Sequence, residues 1–158
     1  KKRKRRNETV AENQAITFRD MQPADAPALY KIECEAFSKP WSVSSLTALA
    51  CAPNAIARVA LIGEDIVGYY SLYRSFEEGD INNIAVRADM RGRGIGTLLM
   101  QDMLSVCKQS GIDRLFLEVR ASNVAAIALY EKFSFRQYSV RKKYYDGEED
   151  AFQYALLI

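Results

Sequence analysis

A strand, a glycine-rich turn, a helix and a second strand follow one another over residues 80–119, and this stretch constrains the fold more than any other. Residues 80–86 contain neither Gly nor Pro and read as a strand, and residues 115–119 form a second apolar run of strand length. Between them, apolar residues recur at helical spacing on one face: Ile95, Leu98, Leu99, Met103, Val106 and Cys107. Gly111 ends that helix. Such a unit predicts two parallel strands joined by a right-handed crossover.

Further elements flank this unit on both sides. Short apolar runs bounded by turn residues predict strands at 16–21, 57–62, 66–74, 135–143 and 151–157. Helices are predicted after Asp25, over 42–51, and over 123–132 with Ser122 as the N-cap. The helix after Asp25 should bury Leu29, Ile32, Ala36 and Phe37. Because 158 residues suit one domain with a sizeable core, the sequence predicts a single α/β domain with a mixed sheet.

The turn RGRGIG, residues 91–96, leads directly from the first strand of the central unit into its helix. Glycines allow a ligand to approach the backbone closely, and the free N–H groups of a first helical turn favour an anion. Arg91 and Arg93 add charge suited to phosphate oxygens. The spacing differs from the dinucleotide pattern GxGxxG, and the phosphate loop ending in GK[ST] is absent. The alternative is an ordinary strand-to-helix turn with solvated arginines.

Five stretches together resemble a known family. Arg91-x-x-Gly94-x-Gly96 fits the pattern [QR]-x-x-G-x-[GA], and NIAV (83–86), LEVRASN (117–123), AIALYEKFSF (126–135) and RKKYYDGEEDAFQYAL (141–156) surround it in order. This arrangement resembles the GCN5-related N-acetyltransferases, the GNAT superfamily, and within it the ribosomal-protein-alanine N-acetyltransferases. The resemblance runs from about residue 16 to residue 157. It implies a mostly antiparallel mixed sheet with a central, splayed parallel strand pair flanked by helices, and acetyl-CoA as cosubstrate without a metal.

The resemblance also implies which residues hold acetyl-CoA. The backbone of Ile84, Ala85 and Val86 would pair with the pantetheine arm, although on the residues alone this run could be core. The pyrophosphate would lie on the turn formed by Arg91, Gly92, Arg93, Gly94, Ile95 and Gly96. Asn123 would hydrogen-bond the cosubstrate, and Tyr130 would lie near its sulfur.

Two side chains are candidates for proton transfer. Glu118 lies in the apolar run LFLEV, at the edge of the sheet that the anion turn also occupies, where partial burial would suit it as a base. A solvated edge residue is the alternative. Tyr130 is protonated at neutral pH and can donate, although it could simply pack. The chain has no histidine, which excludes a Ser-His-Asp triad and the HExxH zinc motif. The resemblance implies that Glu118 is the general base, directly or through water, and that Tyr130 protonates the departing thiolate.

Aromatic residues in two separate segments suggest a substrate slot. Tyr144 and Tyr145 precede the last turn, and paired tyrosines in a hairpin are often only cross-strand packing. Phe37 and Trp41 flank a break at Pro40 between two predicted helices. The resemblance implies that these two segments form opposite walls around the first residues of a peptide.

The chemistry of amines favours a chain terminus as acceptor. An α-amine has a pKa of about 7.8 and a lysine about 10.4, so far more of the former is neutral and nucleophilic at physiological pH. The resemblance points the same way, to the N-terminal alanine of a small-subunit ribosomal protein of the S18 type. Two alternatives stay open: an acetyltransferase of the same fold acting on lysines or a broader set of N-termini, and a non-catalytic CoA-binding module.

Charge is concentrated at the start of the chain. The first six residues, Lys1 to Arg6, hold six of the 22 basic side chains, so the rest carries 16 basic against 20 acidic ones. A nucleic-acid footprint over the whole domain is therefore not supported. Residues 1–15 are predicted to be a disordered basic segment, or an arm in weak contact with ribosomal RNA, and residues 16–158 the folded domain. Residues 7–14 are polar, unlike the apolar part of a signal peptide.

The three cysteines, Cys34, Cys51 and Cys107, contain no CxxC pair. All three are predicted to be small buried hydrophobes in a reducing, cytoplasmic compartment. No stretch is apolar and long enough to predict a membrane span, and a monomer is expected.

Overall fold

The computed structural model describes residues 15–158. Within that part of the chain the α-helices are α1 (Ala26–Ala36), α2 (Val43–Cys51), α3 (Ile95–Gln109) and α4 (Val124–Lys132). The strands are β1 (Ile16–Asp20), β2 (Ala55–Ile62), β3 (Asp65–Ser75), β4 (Glu78–Val86), β5 (Arg114–Arg120), β6 (Arg136–Tyr145) and β7 (Glu149–Leu157).

All seven strands form one sheet in the order β1-β2-β3-β4-β5-β7-β6. Every neighbouring pair is antiparallel except β4 and β5, which are parallel and joined through α3. The predicted fold class, a mixed and mostly antiparallel sheet with a central parallel pair and flanking helices, is therefore confirmed.

The parallel pair separates soon after it begins. Strand β4 pairs with β5 only over Glu78–Asp80, opposite Arg114–Phe116. Beyond that point β5 continues to pair with β7, and β4 continues with β3 across a bulge at Asn82. A wedge therefore opens between the two strands toward their carboxyl ends, which is the edge where the anion turn lies.

Helices cover both faces of the sheet. Helix α3 buries Ile95, Leu99, Met100, Met103 and Cys107 on one face, while α1 and α2 bury Leu29, Ile32, Leu46 and Leu49 on the other. Tyr69 and Tyr70 follow one another on β3 and are both fully buried, one in each core, because successive strand residues point to opposite faces.

A partly buried polar contact fixes α3 against the sheet. Asp102 of α3 accepts two hydrogen bonds from Arg58 of β2, at 2.9 and 3.0 Å, and a third from the Tyr70 hydroxyl at 2.7 Å. Because a bidentate guanidinium–carboxylate pair is directional, this contact sets the orientation of α3 and hence the direction of its N-terminus.

The structure corrects two details of the sequence analysis. Cys107 is buried, but Cys34 and Cys51 are exposed, so the predicted burial of all three cysteines is wrong. Cys34 lies one position past the buried stripe of α1, and Cys51 is the last residue of α2, where no further turn covers it. Helix α1 also ends before Phe37, which is half-buried, as is Ala36.

Residues 15–158 contain neither a helix that could span a membrane nor a side-chain cluster that could hold a metal ion. None of the helices there combines the length and apolar character that crossing a membrane requires. Groups of three or more cysteines and carboxylates able to hold a metal ion are likewise missing from that range. The basic residues 1–6 lie outside the described part of the chain.

Candidate active site

The wedge between β4 and β5 opens into a cavity of about 970 Å³. Its lining comes from β4, β5, α4, the loop between α1 and α2, and the hairpin of β6 and β7. Eight of the residues singled out from sequence line it: Phe37, Trp41, Ile84, Glu118, Asn123, Tyr130, Tyr144 and Tyr145. Residues separated by more than 100 positions in the chain therefore share one concave site.

The predicted anion turn lies beside this cavity rather than in its lining. Gly92 and Gly94 have φ values of +73° and +82°, and a Cβ at either would meet no atom within 4 Å. Gly94 is the N-cap of α3 and has no side chain to cap the first N–H groups. Arg91 donates from Nε to the Val86 carbonyl at 3.2 Å, which ties the turn to the end of β4. This open, donor-rich helix start fits a pyrophosphate.

Glu118 points from β5 into the cavity and is held from the neighbouring hairpin. Arg141 Nε lies 3.1 Å from its Oε1, and Gln153 Nε2 donates to the same oxygen at 3.1 Å. The side chain is 25% exposed, so the carboxylate faces the cavity while its orientation is fixed. A positioned carboxylate of this kind can accept a proton from an incoming amine.

Asp80 was not singled out from sequence, yet it lines the same wedge. Partial burial raises the pKa of its carboxyl, and the charges of Glu78 and Glu118 raise it further. In the sequence, Asp80 has the position of an ordinary solvent-exposed strand residue, so no local signal marked it. Only the parallel pairing with β5 brings it near Glu118.

Tyr130 lies on the inner face of α4 and is only 7% exposed. Its ring packs against Phe135, with centroids 5.7 Å apart. Burial, and to a lesser extent the nearby Tyr145, raises the pKa of its phenol above the ordinary value. The neutral, proton-donating form of Tyr130 therefore persists across the physiological range.

Asn123 occupies the N-cap of α4, one residue later than the predicted cap at Ser122. Its Oδ1 accepts a hydrogen bond from the N–H of Ala126 at 3.2 Å. The capping bond uses the side-chain oxygen, which leaves the amide nitrogen as the group available to a ligand.

Aromatic residues from two separate segments form two walls of the cavity. Tyr144 and Tyr145 end β6, with ring centroids 5.0 Å apart and an interplanar angle of 79°. The Arg120 guanidinium lies 4.2 Å from the centre of the Tyr145 ring, a cation–π contact. Phe37 and Trp41 belong to the second wall, in the loop between α1 and α2.

An ion pair joins these walls at the rim. Lys39, between Phe37 and Trp41, pairs with Asp146, the residue after Tyr145. Asp146 also lies 3.7 Å from Arg120. The Lys39 hydrogen bond lowers the pKa of the Asp146 carboxyl, with further contributions from the Lys39 and Arg120 charges. The pair spans 107 positions, so no local sequence signal could have found it.

Glu33 is the functional candidate that the sequence analysis missed. It is fully buried on α1 and lines the cavity. Its carboxylate accepts hydrogen bonds from the Tyr69 hydroxyl, from Asn83 Nδ2 at 2.6 Å and from the Trp41 N–H at 3.1 Å. Burial raises the pKa of this carboxyl, and the three hydrogen bonds oppose the rise. Helical spacing was the available signal, since Glu33 lies four residues after the buried Leu29.

Comparisons with known proteins agree with this geometry. A model of the Acetyltransferase (GNAT) family matches residues 26–135. The ribosomal protein bS18-alanine N-acetyltransferase of Salmonella typhimurium is 34% identical over 146 residues, covering 90% of this chain and 97% of that protein.

Solved structures of other acetyltransferases share this fold. The ribosomal-protein-S18-alanine N-acetyltransferase from Escherichia coli superposes with a TM-score of 0.84 at 33% identity, covering 90% of this chain and 94% of that one. Arabidopsis thaliana NAA60 in complex with acetyl-CoA shares the fold, with a TM-score of 0.80 at 20% identity over 91% of this chain and 99% of that one.

Proposed function

The chain belongs to the acetyltransferase (GNAT) family, and from that premise we propose that it acetylates the N-terminal α-amine of a protein. The acceptor we propose is the N-terminal alanine of a small-subunit ribosomal protein of the S18 type, which the names of the similar Salmonella and Escherichia enzymes support. One observation carries the proposal: a single cavity, beside an anion-binding turn, is lined by Glu118, Tyr130 and two aromatic walls.

Acetyl-CoA, when bound, supplies the acetyl thioester. The N–H groups of the first turn of α3 and the side chains of Arg91 and Arg93 would hold its pyrophosphate. In the wedge, β5 does not pair with Ile84, Ala85 and Val86. Arg91 already donates to the Val86 carbonyl, so the other backbone groups of this run that face the wedge would hold the pantetheine arm. The Asn123 amide would add a hydrogen bond, and the Tyr130 hydroxyl would lie near the sulfur.

In the proposed reaction two residues handle the protons. The substrate amine attacks the thioester carbonyl in its neutral form in a ternary complex, so that a C–N bond forms and the C–S bond breaks. Glu118 accepts the proton that the nitrogen loses as the C–N bond forms, either directly or through a water. Tyr130, kept neutral by burial, donates its proton to the departing sulfur. No metal takes part in this scheme.

The aromatic walls are the basis for proposing a peptide rather than a small metabolite. Tyr144 and Tyr145 from one segment and Phe37 and Trp41 from another line the same cavity as Glu118. Flat aromatic side chains bury the first residues of a peptide at small entropic cost. We place the reaction in the cytoplasm, in a monomer.

The test is acetyl transfer to short peptides, read by mass spectrometry. The panel varies the first residue and includes N-blocked peptides that carry lysine. Transfer to free Ala-initiated termini and not to blocked peptides is expected. Transfer to the blocked lysine peptides would contradict the proposal and favour a lysine acetyltransferase. Coenzyme A binding without any transfer, also with the intact ribosomal protein as acceptor, would indicate a binding module.

A finer proposal concerns the basic residues 1–6, which lie outside the described part of the chain. Six adjacent positive charges attract polyanions, and we infer weak contact with ribosomal RNA near the substrate. Removing residues 1–7 should then reduce activity on intact ribosomal particles and leave activity on a free peptide unchanged. An equal loss on both substrates, or no loss on either, would overturn this inference.

A further inference from the structure

Glu33 is the one buried carboxylate in the cavity that the proposed proton transfers do not use. Burial of a carboxylate is unfavourable unless hydrogen bonds replace the lost water, so its retention needs a reason. It draws those hydrogen bonds from three other parts of the chain: β3, β4 and the loop between α1 and α2. One side chain thus joins four segments: α1, the loop that follows it, β3 and β4.

The two carboxylate oxygens of Glu33 divide these partners. Oε1 accepts from the Tyr69 hydroxyl and from Asn83 Nδ2 at 2.6 Å, and Asn83 Nδ2 also donates to the Tyr69 oxygen at 2.9 Å. Oε2 accepts from the backbone N–H of Trp41 at 3.1 Å. One oxygen is therefore fixed to the sheet and the other to the Phe37–Trp41 wall. Because the carboxylate is rigid, it sets the distance between the sheet and that wall.

The position of this contact relates it to the substrate. Trp41 ends the wall that begins at Phe37, and Asn83 directly precedes Ile84 on β4, which also lines the cavity. The Lys39–Asp146 pair at the rim is exposed, and exposed pairs hold loops weakly. The buried Glu33 contact is therefore the stronger restraint on how far this wall stands from the sheet.

We propose that Glu33 is a positioning residue that fixes the Phe37–Trp41 wall against β4 and so limits the size of the first peptide residue that the slot accepts. This inference rests on the proposed function. Loss of the contact would let the wall move outward, so that the slot holds a small first residue less tightly and admits a larger one. The role is one of specificity, and Glu33 itself transfers no proton.

Two neighbouring tyrosines provide a matched test. Tyr69 and Tyr70 are adjacent on β3, both fully buried, and each donates its hydroxyl proton to a carboxylate. The carboxylate that Tyr69 contacts is Glu33 in the cavity, whereas Tyr70 contacts Asp102 on the opposite face of the sheet. Tyr69→Phe and Tyr70→Phe thus make the same chemical change in comparable surroundings, and only the first removes a hydrogen bond to Glu33.

The kinetic readout compares peptides that begin with Ala and with Leu. Tyr69→Phe should raise the peptide KM about 5-fold or more and reduce the preference for Ala over Leu by about 5- to 10-fold, the size expected for one lost buried hydrogen bond. Its affinity for coenzyme A should stay within about twofold of wild type. Tyr70→Phe keeps both Arg58 hydrogen bonds to Asp102, so it should leave both the peptide KM and the preference unchanged. Equal kinetic behaviour of the two variants would overturn the inference.

A second readout does not depend on activity. Trp41 is the only tryptophan in the chain, so its fluorescence reports on the wall alone. Tyr69→Phe and Glu33→Gln should both increase quenching of this emission by acrylamide, and Tyr70→Phe should not. Unchanged quenching in the first two variants would show that Glu33 does not hold the wall. If Glu33→Gln fails to fold, the milder variant Tyr69→Phe still tests whether Glu33 holds the wall.

The two readouts separate the inference from the proposed function. If wild type acetylates no peptide and no intact ribosomal protein, the proposed function is wrong, and the proposed specificity role of Glu33 is then wrong as well. If wild type is active but the tyrosine variants do not differ, only the inference about Glu33 is wrong.

Discussion

Glu118 and Tyr130 line one cavity, and their surroundings differ. Glu118 is partly open to solvent and held by Arg141 and Gln153, as the proposed role of proton acceptor requires. Tyr130 is buried, and burial raises the pKa of its phenol, so it stays protonated at neutral pH. A protonated phenol suits the proposed role of proton donor to the departing thiolate.

Removing either group should reduce turnover. Glu118→Gln removes the proton acceptor and Tyr130→Phe removes the donor, and each should lower kcat about 100-fold or more. Affinity for coenzyme A, measured by calorimetry, should change little in both. Tyr154→Phe is a suitable control, because this buried tyrosine bonds Glu131 outside the cavity. Full turnover in both variants at every pH would contradict the proposed mechanism.

The cysteines should separate into two classes of reactivity. Cys34 and Cys51 are exposed, whereas burial raises the pKa of the Cys107 thiol to about 11. Because the thiolate is the reactive form, Ellman's reagent should modify Cys34 and Cys51 quickly and Cys107 only after denaturation. A fast reaction of all three thiols in the native protein would contradict the buried position of Cys107.

At the level of secondary structure, the entry into α3 depends on a glycine. Gly94 adopts a φ of +82°, a left-handed conformation that directs the chain from the anion turn into the helix. Alanine in that conformation costs about 1–2 kcal/mol, and relief of the strain would turn the first N–H groups away from a pyrophosphate.

Gly94→Ala should therefore lose about 1–2 kcal/mol of stability and bind coenzyme A about 10-fold more weakly. Gly63 offers a matched control, since it has a φ of +58° and equal free space but lies in the turn between β2 and β3. Gly63→Ala should lose a similar stability and keep its affinity. Urea unfolding and calorimetry measure both quantities, and equal affinities in the two variants would refute a role for the turn.

The start of α1 should make stability depend on pH. The Arg19 hydrogen bond lowers the pKa of the Asp25 carboxyl, and the Gln22 N–H lowers it further. A lowered folded-state pKa gives stability that is present above the unfolded value of about 3.9 and is lost as pH falls through the folded value. Asp25→Asn should thus cost about 1–2 kcal/mol at pH 7 and clearly less at pH 3. An equal loss at both values, by urea unfolding, would exclude this linkage.

Elements with a clear periodicity of apolar residues could be predicted from sequence, whereas contacts between residues far apart in the chain could not. The turn and helix over 91–109 were predictable because glycines and a helical apolar stripe adjoin. Glu33 was missed because it sits among charged neighbours, and its partners Asn83 and Tyr69 are 50 and 36 positions away. The residues of both walls were predicted through the family resemblance, but nothing local predicts the Lys39–Asp146 pair that joins them.

On the scale of the whole molecule, the sheet consists of two halves, β1 to β4 and β5 to β7, joined by a short parallel ladder. Each half has its own antiparallel pairing, whereas the parallel ladder between them spans only Glu78–Asp80 and Arg114–Phe116. The cavity lies where this ladder stops, so the site depends on how the halves meet.

Hydrogen exchange should reveal this arrangement. Coenzyme A binding should slow exchange of the amides at 84–86, in the open part of the wedge, and at 95–97, in the first turn of α3. Exchange of the amides at 78–80 should change little, because these residues already pair with β5 in the absence of a ligand. Uniform protection along all of β4, or none at 84–86, would contradict the proposed position of the cosubstrate.

The short ladder should also link the lifetime of the protein to metabolism. A cosubstrate in the proposed position would contact both halves, and any ligand that binds only the folded form stabilises it by mass action, by about 2.7 kcal/mol at 100 times its Kd. When acetyl-CoA is abundant, more copies should survive proteolysis. When it is scarce, unoccupied copies should unfold more often. The quantity of active enzyme in a cell would then follow the supply of the acetyl donor without any separate regulator.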